Sequence, residues 1–255
     1  MTDSGIPKNH PRFRSLKIRN DLSNFYHKGI ISDLGLIAHG RGEAFDYLIG
    51  EQTIDLALHT IRVATAQLIV SNSVISINGN AAALESKNLV KLANLTNSKL
   101  EINLFHKTKK RATQISRLLK NQGAAIVYGT NDDYLTTIPN LRSNRKFIDK
   151  RGIYQADVVF VPLEDGDRTE FLKKMGKIVI TIDLNPLSRT ATMSDISIID
   201  NLVRVIPEMI KQSRKMSKYS DSDLKKIIKK FDNQKQLNLT LRYMSKRLID
   251  LTKKQ

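Results

Sequence analysis

The sequence predicts an α/β fold in which a parallel sheet is flanked by helices, and three observations carry that expectation. Residues 74–77, 100–105, 125–128, 158–161, 178–182 and 196–199 form short continuous apolar runs, the mark of strands buried on both faces. Helical stretches separate these runs, so residues 74–128 read β-α-β-α-β, implying parallel strands with right-handed crossovers. The strands at 158–161 and 178–182 each run into a loop dense in hydrogen-bonding groups. Open α/β sheets bind ligands just beyond the carboxyl ends of their strands.

In chain order, a helical stretch from His10 to near Gly29 carries Leu16, Leu22 and Phe25 among polar residues. Arg19 on it reads either as a solvated surface group or as an anion contact. A brief apolar run at 34–37 leads into His39-Gly40-Arg41-Gly42-Glu43. Glycines on both sides of Arg41 would let a ligand approach the backbone beside a bidentate cation. A turn in which Arg41 is stapled to Glu43 or Asp46 is the alternative. Residues 51–70 repeat apolar side chains at helical spacing. After the strand at 74–77, Asn78-Gly79-Asn80 opens a helix rich in alanine, where backbone N–H groups attract phosphate. No GxxxxGK[ST] or GxGxxG fingerprint occurs anywhere.

His106 follows the strand at 100–105 and reads as structural, and Gly123 stops the next helix. Residues 130–151, interrupted by Pro139, read as a long polar loop over one sheet face. Pro162 ends the strand at 158–161, because proline cannot donate to a ladder. The loop Glu164-Asp165-Gly166-Asp167-Arg168-Thr169 follows, then a short helix closed by Gly176. Beyond 178–182 comes Asp183-Leu184-Asn185-Pro186-Leu187-Ser188-Arg189-Thr190, and Asp200-Asn201 opens a helix that tolerates Pro207. The sequence divides into a core over 1–210 and a basic amphipathic helical extension over 211–255. Within the extension Leu237, Leu241, Met244, Leu248 and Leu251 form an apolar seam. That seam predicts helices docked on the body or across a dimer, remote from the chemistry. Lys215-Met216-Ser217-Lys218 is read as basic-helix composition, because no HIGH-like partner motif accompanies it.

The chain has 255 residues, a net charge of +17 and no cysteine, which excludes disulfides and thiolate chemistry. No apolar stretch is long enough to span a bilayer and the N-terminus lacks a secretory hydrophobic region, so a cytoplasmic protein is expected. Residues 207–255 hold 14 Lys/Arg against 5 Asp/Glu. Such an excess in a tail suits solvation, nucleic acid or an anionic membrane, and the net +8 left in the first 206 residues suits a small phosphorylated substrate. A nucleic-acid surface should interleave aromatic with basic residues, whereas only 6% of the chain is aromatic. No histidine and carboxylate spacing resembles a zinc site.

The segments HPRFRSL (10–16), GLIAHGRGEAFDYLIGE (35–51), VISINGNAAAL (74–84), EINLF (101–105), GIYQADVVFVPLEDGDRTEFL (152–172) and KIVITIDLNPLSRTA (177–191) together resemble the archaeal phosphopantothenate synthetase family. That family is also called 4-phosphopantoate–β-alanine ligase. The resemblance covers residues 10–210 in collinear order, and nothing beyond about 211 is matched to it. It implies a homodimeric, Rossmann-like enzyme of coenzyme A biosynthesis. Such an enzyme joins 4-phosphopantoate to β-alanine through an acyl adenylate, using ATP with Mg²⁺ and releasing AMP and pyrophosphate. Residue by residue, it implies ATP contacts from Arg19, Arg41, Asp183, Leu184, Asn185, Arg189, Thr190 and Asn201. The phosphopantoate side falls to Asn78, Gly79, Asn80, Glu164, Asp165, Gly166 and Arg168, and catalytic roles to Arg41, Asn80 and Asp165. Metal ligands stay unassigned. Two other classes stay open on sequence grounds: another ATP-dependent ligase or nucleotidyl transferase, and a basic nucleic-acid-binding protein.

Overall fold

A five-stranded parallel sheet organises the chain in the computed structural model, which describes residues 7–10, 12–163 and 166–253. Three helices, α1 (Phe13–His27), α2 (Asp33–Ile49) and α3 (Asp55–Ile69), precede β1 (Ser73–Ile77). Then come α4 (Gly79–Thr96), β2 (Lys99–Ile102) and α5 (Lys109–Asn121). A small antiparallel pair, β3 (Leu135–Thr137) and β4 (Phe147–Asp149), interrupts the alternation. It resumes with β5 (Val158–Pro162), α6 (Gly166–Lys174), β6 (Ile178–Ile182), α7 (Arg189–Met193) and β7 (Ile196–Ile198). The helices α8 (Leu202–Met216), α9 (Asp221–Lys229) and α10 (Asn233–Thr252) close the chain. The expected division at 210/211 falls inside α8.

The sheet order is β2-β1-β5-β6-β7, every pair parallel. The strand expected at 125–128 is reduced to one bridge between Tyr128 and Glu101 on the outer edge of β2. Gly129, at φ +83°, turns the chain there, and its N–H donates to Asp149 instead of continuing a ladder. Counting that bridge as a strand, the order is that of a doubly wound sheet whose direction of winding reverses between β1 and β5.

Period-two alternation places the core on both faces. Ile75, Ile77, Phe160, Ile180 and Ile182 share one cluster with residues of α3, α4 and α8. Val74, Val159, Val161 and Val179 share the other with Leu172 of α6 and Ile138, Leu141, Ile148 and Ile153. The segment at 130–151 therefore covers a sheet face, as expected, but through a hairpin and two short helical turns rather than an unstructured loop.

The second departure lies in α2. Residues 40–42 do not form a turn but sit inside a 17-residue helix, capped at the start by Ser32 accepting from Gly35 N–H and ended by Gly50 at φ +84°. The staple to Glu43 or Asp46 is absent as well: Glu43 pairs with His39, and Asp46 is taken by Arg204 and Asn201. Two interior glycines cost a helix about 1 kcal/mol each relative to alanine. A Cβ at either would meet nothing within 4 Å, so the protein's own packing does not demand them.

Candidate active site

The carboxyl ends of β1 and β5 are joined by one side chain. Asn78 donates from Nδ2 to the carbonyls of Pro162 and Leu163, both at 2.8 Å, while its Oδ1 accepts from Ala81 N–H and caps α4. This amide fixes where the crevice opens, and its hydrogen bonds go to the protein's own backbone. Gly79, the first residue of α4, lies against the Ile30 carbonyl so closely that no Cβ fits, which makes glycine obligatory whatever the ligand. Asn80 reaches back to the Gly35 carbonyl at 2.8 Å and ties the start of α2 to the start of α4. Arg168, buried under the same crevice, donates to Ser76 Oγ at 3.1 Å and Asn103 Oδ1 at 2.6 Å. Gly166 begins α6 with its Cα packed on the Arg189 side chain. Glu164 and Asp165 lie outside the described residues.

Two strands along, the loop after β6 is folded around Asp183. Its Oδ1 accepts from Asn185 N–H at 2.9 Å and its Oδ2 from Ser188 Oγ at 2.5 Å. Burial raises the Asp183 pKa, opposed by these hydrogen bonds and by the Arg41 guanidinium of α2. Asp183, Asn185 and Arg41 thus come together although more than 140 positions separate them in sequence. Arg189 forms ion pairs with Asp167 and Glu170 of α6, drawing the loops after β5 and β6 together. Thr190 is buried one residue on. Of these side chains, Asp167, Glu170 and Arg189 border a cleft of about 520 Å³ that is also lined by Phe105, residues 140–143, Gly166 and Phe171, whereas Asp183, Asn185 and Arg41 do not line it.

Three expected residues stand apart. Leu184 is buried in an apolar cluster with Ile49, Ala191, Ile199, Leu237 and Met244. Asn201 caps α8 and gives its Nδ2 to Asp46 at 3.0 Å. Arg19 is exposed on α1, whose buried residues Ile18 and Leu22 belong to the central core.

Sequence reasoning missed several charged groups because each is completed by distant neighbours. Arg204 forks onto Asp46 at 2.6 and 3.1 Å and donates from Nε to Asp200 at 2.8 Å, while Thr53 bonds Asp200 at 2.6 Å. This network locks α2 to α8. Glu101 is fully buried on β2 and accepts from the N–H groups of Asp149 and Ile153 at 2.9 and 2.6 Å. Burial pushes its pKa up to about 8. Arg111 and Arg145, from α5 and the turn before β4, lie near enough for the charge of one to act on the other. Among the described residues no cluster of three His, Asp or Glu side chains could hold a metal ion.

The family model of phosphopantothenate/pantothenate synthetases matches residues 56–247. The chain is 50% identical over 248 residues to the 4-phosphopantoate–β-alanine ligase of Thermococcus onnurineus (strain NA1), covering 96% of this chain and 94% of that one. Identity to the enzyme of the same name from Thermococcus kodakarensis is 49% over the same shares. To that of Methanosarcina mazei it is 49% over 239 residues, 93% of this chain and 92% of its relative. These matches run well beyond residue 211, so the expectation that the C-terminal extension lies outside the family is corrected. This lysine-rich segment carries no short motif, so its relationship shows only over aligned length.

Proposed function

The chain belongs to the phosphopantothenate/pantothenate synthetase family, and from that premise we propose that it is an ATP-dependent ligase joining 4-phosphopantoate to β-alanine in coenzyme A biosynthesis. The observation that carries this reading is near-full-length identity of about half to ligases of that name. The site supports it in kind: a crevice at the switch point of a parallel sheet, bordered by guanidinium groups and capped helix starts. A carboxylate is a poor electrophile, and transfer of AMP to it makes an acyl adenylate that an amine can attack. Catalysis is then mostly positioning and charge neutralisation, for which arginines and backbone amides serve without a nucleophilic side chain.

In this reading the nucleotide lies along the loop after β6, with Arg41 on its phosphates, Asp183 and Asn185 along the nucleotide, and Arg189 and Thr190 at the base of α7. Arg19, exposed on α1 and apart from that loop, is kept as a phosphate contact on the family resemblance alone. Leu184 and Asn201 support that loop from behind, since both are committed to the protein interior. The open space above Gly40 and Gly42 leaves room for the phosphates beside Arg41. Phosphopantoate takes the crevice between Asn78, Gly79, Asn80, Gly166 and Arg168, with Glu164 and Asp165 in the loop above. Mg²⁺ usually takes one or two carboxylates plus phosphate oxygens and water. The one half-buried carboxylate of this loop, Asp183, fits an ion that arrives with ATP better than one held by the protein alone. Such an ion would neutralise phosphate charge.

The same face of α2 supports a homodimer. Leu34, Ile37 and Tyr47 are half or more exposed, with Ala38 and Ala44 beside them, and α10 leaves Leu248, Ile249 and Leu251 exposed where it passes the end of α2. Contiguous apolar strips of that kind mark association surfaces.

Incubation with ATP, Mg²⁺, 4-phosphopantoate and β-alanine tests the ligase. AMP and pyrophosphate should form only when 4-phosphopantoate is present. ADP and inorganic phosphate would sink the adenylate route.

A further inference from the structure

The cleft beside the α6–Arg189 contact has no substrate so far. Two of its lining residues belong to the sites already described, Gly166 to the phosphopantoate crevice and Arg189 to the nucleotide loop. Its volume of about 520 Å³ falls among small-molecule sites. It carries two guanidinium groups, Arg142 and Arg189, against two carboxylates, Asp167 and Glu170, so its formal charge is zero. Most of these charges neutralise one another. Arg189 pairs through Nη1 with Asp167 Oδ1 and through Nη2 with Glu170 Oε2, and the other Glu170 oxygen takes Lys174 at 2.6 Å. Two groups are left over. Arg142, exposed in the segment between β3 and β4, makes no hydrogen bond or ion pair among the described residues. Asp167 keeps Oδ2 uncommitted, on a side chain 66% exposed.

We propose that this cleft holds β-alanine, with its carboxylate on Arg142 and its ammonium on Asp167 Oδ2. A zwitterion matches a cleft of zero net charge that offers one spare cation and one spare anion, whereas a phosphate dianion would face two carboxylates. The guanidinium fork suits a carboxylate, and the Phe105 and Phe171 rings give the methylene groups apolar walls. The location fits as well. The amine must meet an acyl group that phosphopantoate supplies and AMP activates, so its site has to adjoin both of theirs, and this cleft does. Direction follows from the chain. Asp167 stands next to Gly166 in the first turn of α6, at the carboxyl end of β5, whereas Arg142 lies out on the segment joining β3 to β4. The amine end therefore faces the junction of the other two substrates, and the carboxylate end is turned away from it.

This inference rests on the ligase reading, and kinetics on the full chain separate the two. Arg142 is exposed and bonded to nothing described, so its replacement leaves the fold intact. Arg142→Gln should raise KM for β-alanine about tenfold or more while leaving KM for ATP and for 4-phosphopantoate within about twofold. Arg142→Lys, which keeps the charge and loses the fork, should raise it by a smaller factor. Exchange of labelled pyrophosphate into ATP, with 4-phosphopantoate present and β-alanine absent, reads adenylate formation alone and should persist in Arg142→Gln. β-Alaninamide, which lacks the carboxylate charge, should serve the wild type about tenfold or more worse than β-alanine, and the two amines should serve Arg142→Gln about equally. An unchanged KM for β-alanine, loss of the exchange, or a preference for β-alanine kept by the variant overturns the proposal. If the wild-type protein forms no AMP and shows no exchange, the ligase reading falls by itself. Calorimetric titration with β-alanine then reads the cleft alone. Binding present in the wild type and lost in Arg142→Gln upholds the site, and equal binding or none overturns it.

Discussion

At the scale of single residues, Arg41 is the sharpest test of the nucleotide assignment. It lies within electrostatic reach of Asp183 and beside two glycines whose missing side chains leave open space. Arg41→Ala should cost about 2–4 kcal/mol of transition-state stabilisation, by analogy with loss of an oxyanion donor, and Arg41→Lys should recover only part of it. Turnover near wild type for the alanine variant would exclude a phosphate contact. Buried carboxyls give a second residue-scale prediction, with a definite sign. Burial raises Glu85 to about 7 and Glu101 to about 8, from 4.5 for the unfolded side chain. Between those limits the folded protein binds more protons than the unfolded chain, so stability falls as pH rises. The penalty begins near pH 4.5 and is complete above pH 8. Melting temperature should therefore decline from pH 5.5 to pH 8.5, with a shallower slope in Glu85→Gln, whose carboxyl accepts from Asn88. A melting temperature that rises over this interval would contradict the burial-raised pKa values.

At the scale of elements, the sheet was readable because its strands are buried on both faces and so spell continuous apolar runs. Five of the six expected strands exist, and the sixth shrinks to the Tyr128 bridge. Helix α2 was misread at its centre, where Gly40-Arg41-Gly42 imitates a turn. The better signals stood at its ends, in the Ser32 cap and the left-handed Gly50. Arg111 and Arg145 were invisible for another reason: the groups they bond, Ile30, His106 and Asn103, are none of them adjacent in sequence. The apolar seam of α10 was readable, but its docking place was not. Leu237 and Met244 pack against Leu184, and Asn233 donates to the carbonyls of Ala191 and Ser194 while accepting from Ser197 N–H. The tail therefore buttresses the loop after β6, which brings it beside the proposed nucleotide site although the sequence reading expected it to lie remote from the chemistry. Met244→Ala should destabilise the protein by about 2–5 kcal/mol through the cavity it leaves. It should also raise KM for ATP while leaving that for 4-phosphopantoate unchanged. Unaltered ATP kinetics in a destabilised variant would mean that α10 supports the fold alone.

At the scale of the whole molecule, the question is what covers α2. One side of this helix is anchored: Asp46 enters the Arg204 network, and Phe45, Leu48 and Ile49 pack against α10. The opposite side carries Ile37 at 67% exposure with Leu34 one turn before it, and Tyr47, half exposed, nearly three turns on beyond Arg41 and Ala44. Arg41 lies on that same side, also exposed. Burying apolar surface contributes about 25 cal/mol per Å², so a strip of this size left in water favours a partner, and a second copy offers the same strip in self-complementary form. A shared α2 contact would bring the Arg41 region of each protomer next to the interface and make activity depend on association. Ile37→Asp places a charge in the middle of the strip without touching the buried network behind it. It should convert a dimer to a monomer in sedimentation, leave the far-UV spectrum unchanged and lower turnover together with ATP affinity. Wild-type protein that sediments as a monomer would remove the interface outright. A monomeric Ile37→Asp variant with full activity would keep the interface but show that each protomer completes its own site.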